Sequence, residues 1–547
     1  MLWGIVPLVF CVLVIVLLLV GLPSLLRVES ALASRWAVLA IGIISALTFR
    51  YEWSTLQALP LVHDEAAYVL QARLFAAGKW ADSAPIPEFF EQPHVLVTPR
   101  LAEKYGPGNA LMLVPGIWLD RPGLMPVIAL AITGALIFVL GRRTVSAWVG
   151  IFAWMVWLGL VPPQTTFRPS YFSEILTQGL WLGAWWALLR WRDEERGRYL
   201  VLAAACIGWM AITRPLTAVA FAIPVGIAVL WFSRRRGLWR QVGAALAMGL
   251  AFLSVIPLWS ARTTGNWRVT PLMLYTDQYM PYDVIGFGLR DRQPLREASP
   301  EIACFAATYA SEHRWHTPGM IPSAFLSQGH AAAAAFFTER RHGLILFALV
   351  GVLASPLELG FALATCIALL LAYTTFAHSP GWTVYALETQ PVCALLAAAG
   401  IWVVGAAIGR RWGQRAAIRS GREPGVQLAS WCMLAFVLLA IRPTMDAVER
   451  VRHAKASGDL PHHMFRQAVD SLPGEKKIVF VRYPKGEGCQ QNLIQNDPPL
   501  ATAKTWIVND RGDDDFRLLR AAPDRVPYLF DVKTFEMQRL PNESRAQ

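Results

Sequence analysis

His63-Asp64-Glu65 follows an apolar stretch and Pro60, and it opens an amphipathic segment that ends at Gly78. Asp64, Tyr68, Gln71 and Phe75 recur at i, i+4, i+7 and i+11, which is one face of a helix. A carboxylate pair in that place can act as a general base, taking a proton from a hydroxyl or amine as that group attacks carbon. It can also do something plainer. Asp64 stands where an N-cap would, and Glu65 in the first turn complements the helix dipole. The two roles are compatible, because a capping carboxylate remains available. His63 reads as a hydrogen-bond partner of the pair, with acid–base work or metal ligation as alternatives. Further along stands Lys104-Tyr105-Gly106-Pro107-Gly108. Its Gly and Pro make a turn, and its Lys is a point charge suited to a phosphate. Arg100 and His94 lie in the same stretch and are placed to assist. Together these residues suit the departure of a phosphate leaving group under attack by a deprotonated acceptor.

Such residues need elements that hold them, and composition says what those are. The chain has 547 residues, 55% hydrophobic and only 16% charged, with a mean hydropathy of +0.39. That describes an integral membrane protein. Apolar stretches of spanning length lie at 3–21, 36–54, 123–141, 146–162, 174–190, 199–215, 216–233, 241–259, 343–356, 358–377, 386–408 and 427–442. They predict an α-helical polytopic fold of about twelve spans. The first reads as a retained span, since it lacks the basic start of a signal peptide. Arginines recur at alternate connections: 142–143, 190–198, 234–240 and 410–422. The positive-inside bias puts those connections in the cytoplasm and accounts for the net charge of +12 without nucleic acid. Two long loops, 57–122 and 260–342, then lie outside, as does the tail.

The expected domains are a membrane domain over 1–442 and an extracytoplasmic module over 443–547. In the tail, 478–482, 504–508 and 526–531 read as short buried strands, with helical patterns near 463–471 and 513–521. That alternation predicts a small α/β module with a partly parallel sheet. Five of the seven cysteines fall in apolar spans. Cys304 and Cys489 fall outside and are candidates for a disulfide.

Other residues carry weaker signals. Arg168 and Glu174 flank a short outer loop, where an anchor or a mutual ion pair competes with a site role. Arg214, in Thr-Arg-Pro, either faces a phosphate or snorkels to the interface. Arg262, Tyr275 and Tyr279 sit in the second long loop, where aromatics either stack on sugar faces or pack on the neighbouring loop. His378 and Glu388 mark another outer turn. Asp513-Asp514-Asp515 reads as a helix start, and His462-His463 has no third ligand at metal spacing. Phosphate-loop, Rossmann, zinc-protease and nucleophile-elbow motifs are absent, which argues against an ATP-driven pump and a serine hydrolase.

The stretch from about 61 to 190 resembles bacterial members of the GT-C class of membrane glycosyltransferases, which includes protein mannosyltransferases and lipid A aminoarabinose transferases. The resemblance rests on Asp64-Glu65-x-x-Tyr68, Phe75-Ala76-x-Gly78, Glu91-x-x-His94, Lys104-Tyr105-x-Pro107-Gly108 and Ser170-Tyr171-x-Ser173-Glu174. Thr213-Arg214-Pro215, Arg262-x-Thr264-Gly265-Asn266-Trp267, Tyr275, Tyr279-x-Pro281 and the tail's Asn509-Asp510-Arg511-Gly512 extend it. Many relatives have Tyr-Pro-Pro-Gly where this chain has Tyr-Gly-Pro-Gly. The resemblance implies an inverting transferase using a polyprenyl-phosphate sugar, with Asp64 as base and Glu65 as its partner or a metal ligand. Lys104, Arg100, Arg214 and Arg262 would meet the donor phosphate. His63, Tyr68, His94, Tyr105, Tyr275, Tyr279 and His378 would line the substrate. A divalent metal is optional, with Asp64 and Glu65 its candidate ligands. The acceptor would be an envelope glycan, lipid or protein, reached from the outer face of a bacterial inner membrane. The main alternative is a transporter or flippase of lipid-linked or envelope precursors. It would show paired repeats and broken helices at matching positions, and the sequence shows no repeat.

Overall fold

The computed structural model describes residues 29–541, apart from 54, 161–167, 284, 290–291, 338–340, 355, 414–423 and 485–491. The expected span at 3–21 lies outside the described residues. From there on, each apolar stretch coincides with helix. The first half holds α1 (Arg35–Glu52), α2 (His63–Ala76), α3 (Gly108–Trp118), α4 (Leu124–Thr144), α5 (Ala147–Leu158), α6 (Ser173–Glu194), α7 (Gly197–Ala211) and α8 (Pro215–Arg236). Then come α9 (Trp239–Leu253), α10 (Val255–Thr264), α11 (Pro271–Tyr279), α12 (Pro300–Trp315), α13 (Ile321–Phe336), α14 (Leu344–Ala354), α15 (Leu357–Tyr373), α16 (Gln390–Gly413) and α17 (Pro424–Ser471). Among the described residues, five helical segments are long and apolar enough to cross a membrane, or six if the bent pair α14–α15 is one span. The expectation of about twelve is therefore not reached by length and apolarity. Helices such as α5 and α7 are too short.

The arginine-rich connections gather at one end of the bundle. Arg143 pairs with Asp193, Arg192 with Glu358 at 2.8 Å, and Arg236 with Glu195 at 2.9 Å. These contacts join the ends of α4, α6 and α8 to the start of α15. Arg214 caps the opposite end of α8. The helix has 22 residues, so its ends are about 33 Å apart, close to the hydrocarbon thickness of ~30 Å.

The first outer loop holds β1 (Val95–Leu96) and β2 (Ala102–Glu103), paired antiparallel, and the tail is a four-stranded sheet. Strands β3 (Lys477–Arg482), β4 (Thr505–Asn509), β5 (Val526–Asp531) and β6 (Glu536–Arg539) lie in the order β4-β3-β5-β6. The first two pairings are parallel and the third is antiparallel. Asp515 starts α18 (Asp515–Ala521) and accepts from the Arg511 N–H at 2.9 Å, a helix-start role. Helix α17 runs unbroken across residues 442–443 and carries the chain to this sheet.

One face of the sheet packs on the first outer loop. Ile478, Phe480, Trp506 and Val508 share a core with Leu70 and Leu74 of α2 and with Phe89 and Phe90. Asn509 donates to the carbonyls of Phe89 and Glu91 at 3.2 and 2.7 Å. Arg511 reaches the Glu91 carboxylate at 3.1 Å. Cys304 is disulfide-bonded, and Cys489, the expected partner, lies outside the described residues. Phe480→Ala removes a fully buried ring from the shared core. It should cost about 3–5 kcal/mol, read as a lowered thermal midpoint of the purified protein.

Candidate active site

Helix α2 begins after Val62, whose side chain has no oxygen to cap it. Glu65, at the third helical position, does that work. Its Oε2 accepts from the Leu61 and Val62 N–H groups at 2.9 and 3.3 Å, the backward half of a capping box. Its Oε1 accepts from the Tyr171 N–H at 2.9 Å. Burial pushes the Glu65 carboxyl up from its usual range, against these hydrogen bonds and the Lys455 charge. This corrects one expectation: the residue that caps the start of α2 is Glu65 and not Asp64, and both Glu65 oxygens accept from backbone amides. Among the described residues no three His, Cys, Asp or Glu side chains gather as a metal site.

Asp64 is thereby left free of capping and is about a third exposed. The Tyr105 hydroxyl donates to its Oδ1 at 2.5 Å. His94 Nε2 lies 3.6 Å from its Oδ2, just outside hydrogen-bond reach. His94 is fully buried. Burial, with the Lys104 charge and His63, holds its pKa well below the usual imidazole range. Its backbone N–H donates to the Tyr275 hydroxyl at 3.1 Å.

Lys104 is buried beside Tyr105 and Tyr275, its Nζ 5.2 and 5.1 Å from their ring centres. Burial lowers its pKa, while the charges of Asp283 and Asp64 pull it back up. The turn that carries Lys104 presses on the end of α7. The Gly108 N–H donates to the Ile212 carbonyl at 3.0 Å, and the Trp259 indole donates to the Tyr105 carbonyl at 3.1 Å. A Cβ on Gly106 would lie 2.3 Å from the Ile212 oxygen, and one on Gly108 would lie 2.1 Å from Thr213 Oγ1. Glycine is the residue that permits this approach.

A second polar group adjoins the first. The Tyr68 ring lies 5.1 Å from that of Tyr105, and its hydroxyl donates to Ser173 Oγ at 3.1 Å. Ser173 donates to Glu174 at 3.0 Å, and Glu174 pairs with Arg214. Arg214 also donates to the Tyr373 hydroxyl at 2.6 Å and lies 3.8 Å from Glu388. Arg214 therefore does not snorkel, and its fork is engaged by protein groups. Arg168, expected as an anchor or as the partner of Glu174, instead donates to the carbonyls of Trp157 and Leu158, both at 2.7 Å, at the end of α5.

Arg100, Arg262, Tyr279 and His378 stand apart from this cluster, whereas Tyr275 and His63 adjoin His94. Arg100 is exposed and donates to the Arg262 carbonyl at 2.8 Å. These two arginines meet each other at the rim. Tyr275 and Tyr279 are buried, so neither ring has a face free for a sugar. Tyr279 donates to Glu91 at 2.9 Å, in the junction with the tail. His378 packs on Tyr385 at 4.6 Å, its Nδ1 2.8 Å from the Phe376 carbonyl, and burial brings its pKa down to about 4. His63 faces Glu301 at 3.4 Å.

Sequence reasoning missed Asp283, which stands two residues beyond the quoted Pro281. It is buried, with His313 Nε2 at 3.4 Å, and its charge favours the charged form of Lys104. Glu103, beside Lys104, is also buried. Its two oxygens have no hydrogen-bond partner among the described residues, and burial alone raises its pKa well above the usual range. A recess lies elsewhere, against Arg142, Arg143 and Arg190.

The family model described as dolichyl-phosphate-mannose-protein mannosyltransferase matches residues 123–260, about a quarter of the chain. That stretch holds Glu174 and Arg214 but neither Asp64 nor Lys104. A comparison with curated proteins finds no match. Among solved structures, the chain is similar to ArnT from Cupriavidus metallidurans bound to undecaprenyl phosphate. The identity is 15% and the TM-score 0.46, covering 92% of this chain and 91% of that one. It is also similar to the archaeal oligosaccharyltransferase AglB from Archaeoglobus fulgidus in complex with an inhibitory peptide and a dolichol-phosphate. There the identity is 13% and the TM-score 0.42, covering 91% of this chain and 69% of that one.

The depressed His94 pKa has a consequence for stability. Its contribution is complete above the unfolded value near 6.5 and is lost as pH falls from there toward the lower folded value. His94→Gln should therefore flatten the loss of stability between pH 6.5 and 5, measured by thermal unfolding at stepped pH. The difference between the two proteins isolates His94 from carboxyls with raised pKa, such as Glu103, which act with the opposite sign.

Proposed function

We propose that this protein is an integral membrane glycosyltransferase that moves a sugar from a polyprenyl-phosphate donor to a cell-envelope acceptor. The observation that carries this reading is that Asp64 and Lys104 share Tyr105. One end of the first outer loop brings a part-exposed carboxylate that accepts from the Tyr105 hydroxyl, and the other end brings a buried ammonium 5.2 Å from the Tyr105 ring centre. The match of 123–260 to a family named for a lipid-phosphate sugar donor supports the same class.

In this reading Asp64 takes the proton of an acceptor hydroxyl or amine. The acceptor atom attacks the anomeric carbon from the side opposite the phosphate, and the configuration inverts. The bond between the anomeric carbon and the phosphate oxygen breaks, and its electron pair stays on that oxygen. Lys104 meets the growing charge where water is largely excluded, so its field is strong. The Tyr105 hydroxyl holds the Asp64 carboxylate in orientation. Arg214 reaches the phosphate only by giving up Glu174 or Tyr373. No step needs Glu65.

The setting follows from the two ends of the bundle. The arginine-rich helix ends take the cytoplasmic side under the positive-inside bias. Asp64 and the tail then face the periplasm of a bacterial inner membrane. The disulfide at Cys304, in the loop that packs beside His63, fits an oxidising compartment.

Asp64→Asn should lower transfer from a polyprenyl-phosphate sugar by about 10²–10⁴-fold while lipid-phosphate binding persists. Lys104→Met should weaken that binding. Both are read with purified protein and labelled donor. Transfer unaffected by Asp64→Asn removes the residue from the mechanism. Flux of intact donor across proteoliposomes with no covalent product would favour the transporter instead.

A further inference from the structure

The segment that launches α2 is held from three directions at one buried carboxylate. Glu301 lies in the first turn of α12, in the second outer loop, and is almost fully buried. Its Oε1 accepts from the backbone N–H of Asn492 in the tail at 3.0 Å and lies 3.4 Å from His63 Nε2. Tyr483, just past β3, is buried beside this carboxyl, and burial together with the carboxyl raises the pKa of its hydroxyl. The same tail segment grips the chain just before α2. Asn492 Nδ2 and Gln495 Nε2 donate to the Pro60 carbonyl at 3.2 and 3.0 Å. Phe305, one turn beyond Glu301, packs edge-on against both His63 and His94, at 5.1 and 5.5 Å between ring centres.

A carboxylate taken out of water is costly unless its partners are well placed. Apolar side chains would join these three segments with less desolvation. What a buried polar junction adds is direction, because its hydrogen bonds are met in one arrangement only. This junction lies one residue from Asp64. A small shift of His63 turns the first helical turn and moves the neighbouring carboxylate.

We propose that Glu301 is a positioning residue through which the C-terminal module, by way of Asn492 and His63, sets the Asp64 carboxylate for proton abstraction. The proposal rests on the reading of Asp64 as the base. Glu301 touches neither substrate nor reacting atom. It acts through His63 and the start of α2, so the tail belongs to the machinery of the site.

The test uses the full-length protein in nanodiscs, with Glu301→Gln, Asn492→Ala, their double variant and Asp64→Asn. Glu301→Gln should lower kcat about 10–100-fold with donor KM within about twofold of the parent. Asn492→Ala should do the same more weakly. The double variant should be no worse than Glu301→Gln, as expected for one shared junction. Amide hydrogen exchange over residues 61–66 should rise in both single variants and stay level in α4. Unchanged kcat, or losses that only track a lower thermal midpoint, overturns the proposal. Should Glu301→Gln fail to fold, Asn492→Ala carries the same outcomes. If Asp64→Asn retains transfer, the general-base reading has failed, and exchange over 61–66 still decides the positioning claim. Unchanged exchange there ends it.

Discussion

The contact of the Gly106–Gly108 turn with Ile212 and Thr213 is the constraint on which the site depends. Two backbones meet at distances that leave no room for a Cβ. That closeness brings Tyr105 to the start of α2 and sets the turn against Thr213, the residue before Arg214. Tyr105 then donates to Asp64, and Tyr68, one turn along, reaches Ser173 beside the Glu174–Arg214 pair. Residues from both ends of one loop and from the ends of α6 and α8 become neighbours through one tight turn. A turn held further from α7 would leave Lys104 in water, where its charge is worth far less.

The second organising feature is the division of labour between adjacent acids. Glu65 is buried and spends its oxygens on three backbone amides. That use fixes the start of α2 and frees Asp64 from capping. The asymmetry follows from helix geometry: the third position reaches back to the N-cap amide, and the second points outward. Asp283 supplies a second carboxylate charge to Lys104 beside that of Asp64, and both favour the charged form against the larger cost of burial.

Much of this was legible in the sequence. Periodicity placed α2 with its end at Gly78. Alternating arginine clusters placed the polar ends of the helices. Hydrophobic runs placed β3, β4 and β5 of the tail. The fold was readable because burial imposes periods of 3.6 and 2 on the chain. The Lys-Tyr-Gly-Pro-Gly turn and Thr213-Arg214-Pro215 were both noticed, but nothing in the sequence said that they touch. Asp283, Glu301 and Asn492 were missed for the same reason. Each is an ordinary polar residue in a loop, and its partners lie in distant segments. For Tyr275 and Tyr279 the sequence leaves sugar stacking and packing on the neighbouring loop open, because type and loop position do not reveal burial. The exchange of roles between Asp64 and Glu65 needed side-chain direction, which spacing alone does not carry.

The central claim is that Asp64 and Lys104 bracket a lipid-borne phosphate ester. A cryo-EM map of the full-length protein with a polyprenyl-phosphate sugar bound tests it most directly. The account predicts phosphate density within hydrogen-bond reach of Lys104, with the anomeric carbon turned toward Asp64. Density for the phosphate at the opposite end of the bundle, beside Arg142, Arg143 and Arg190, would contradict it.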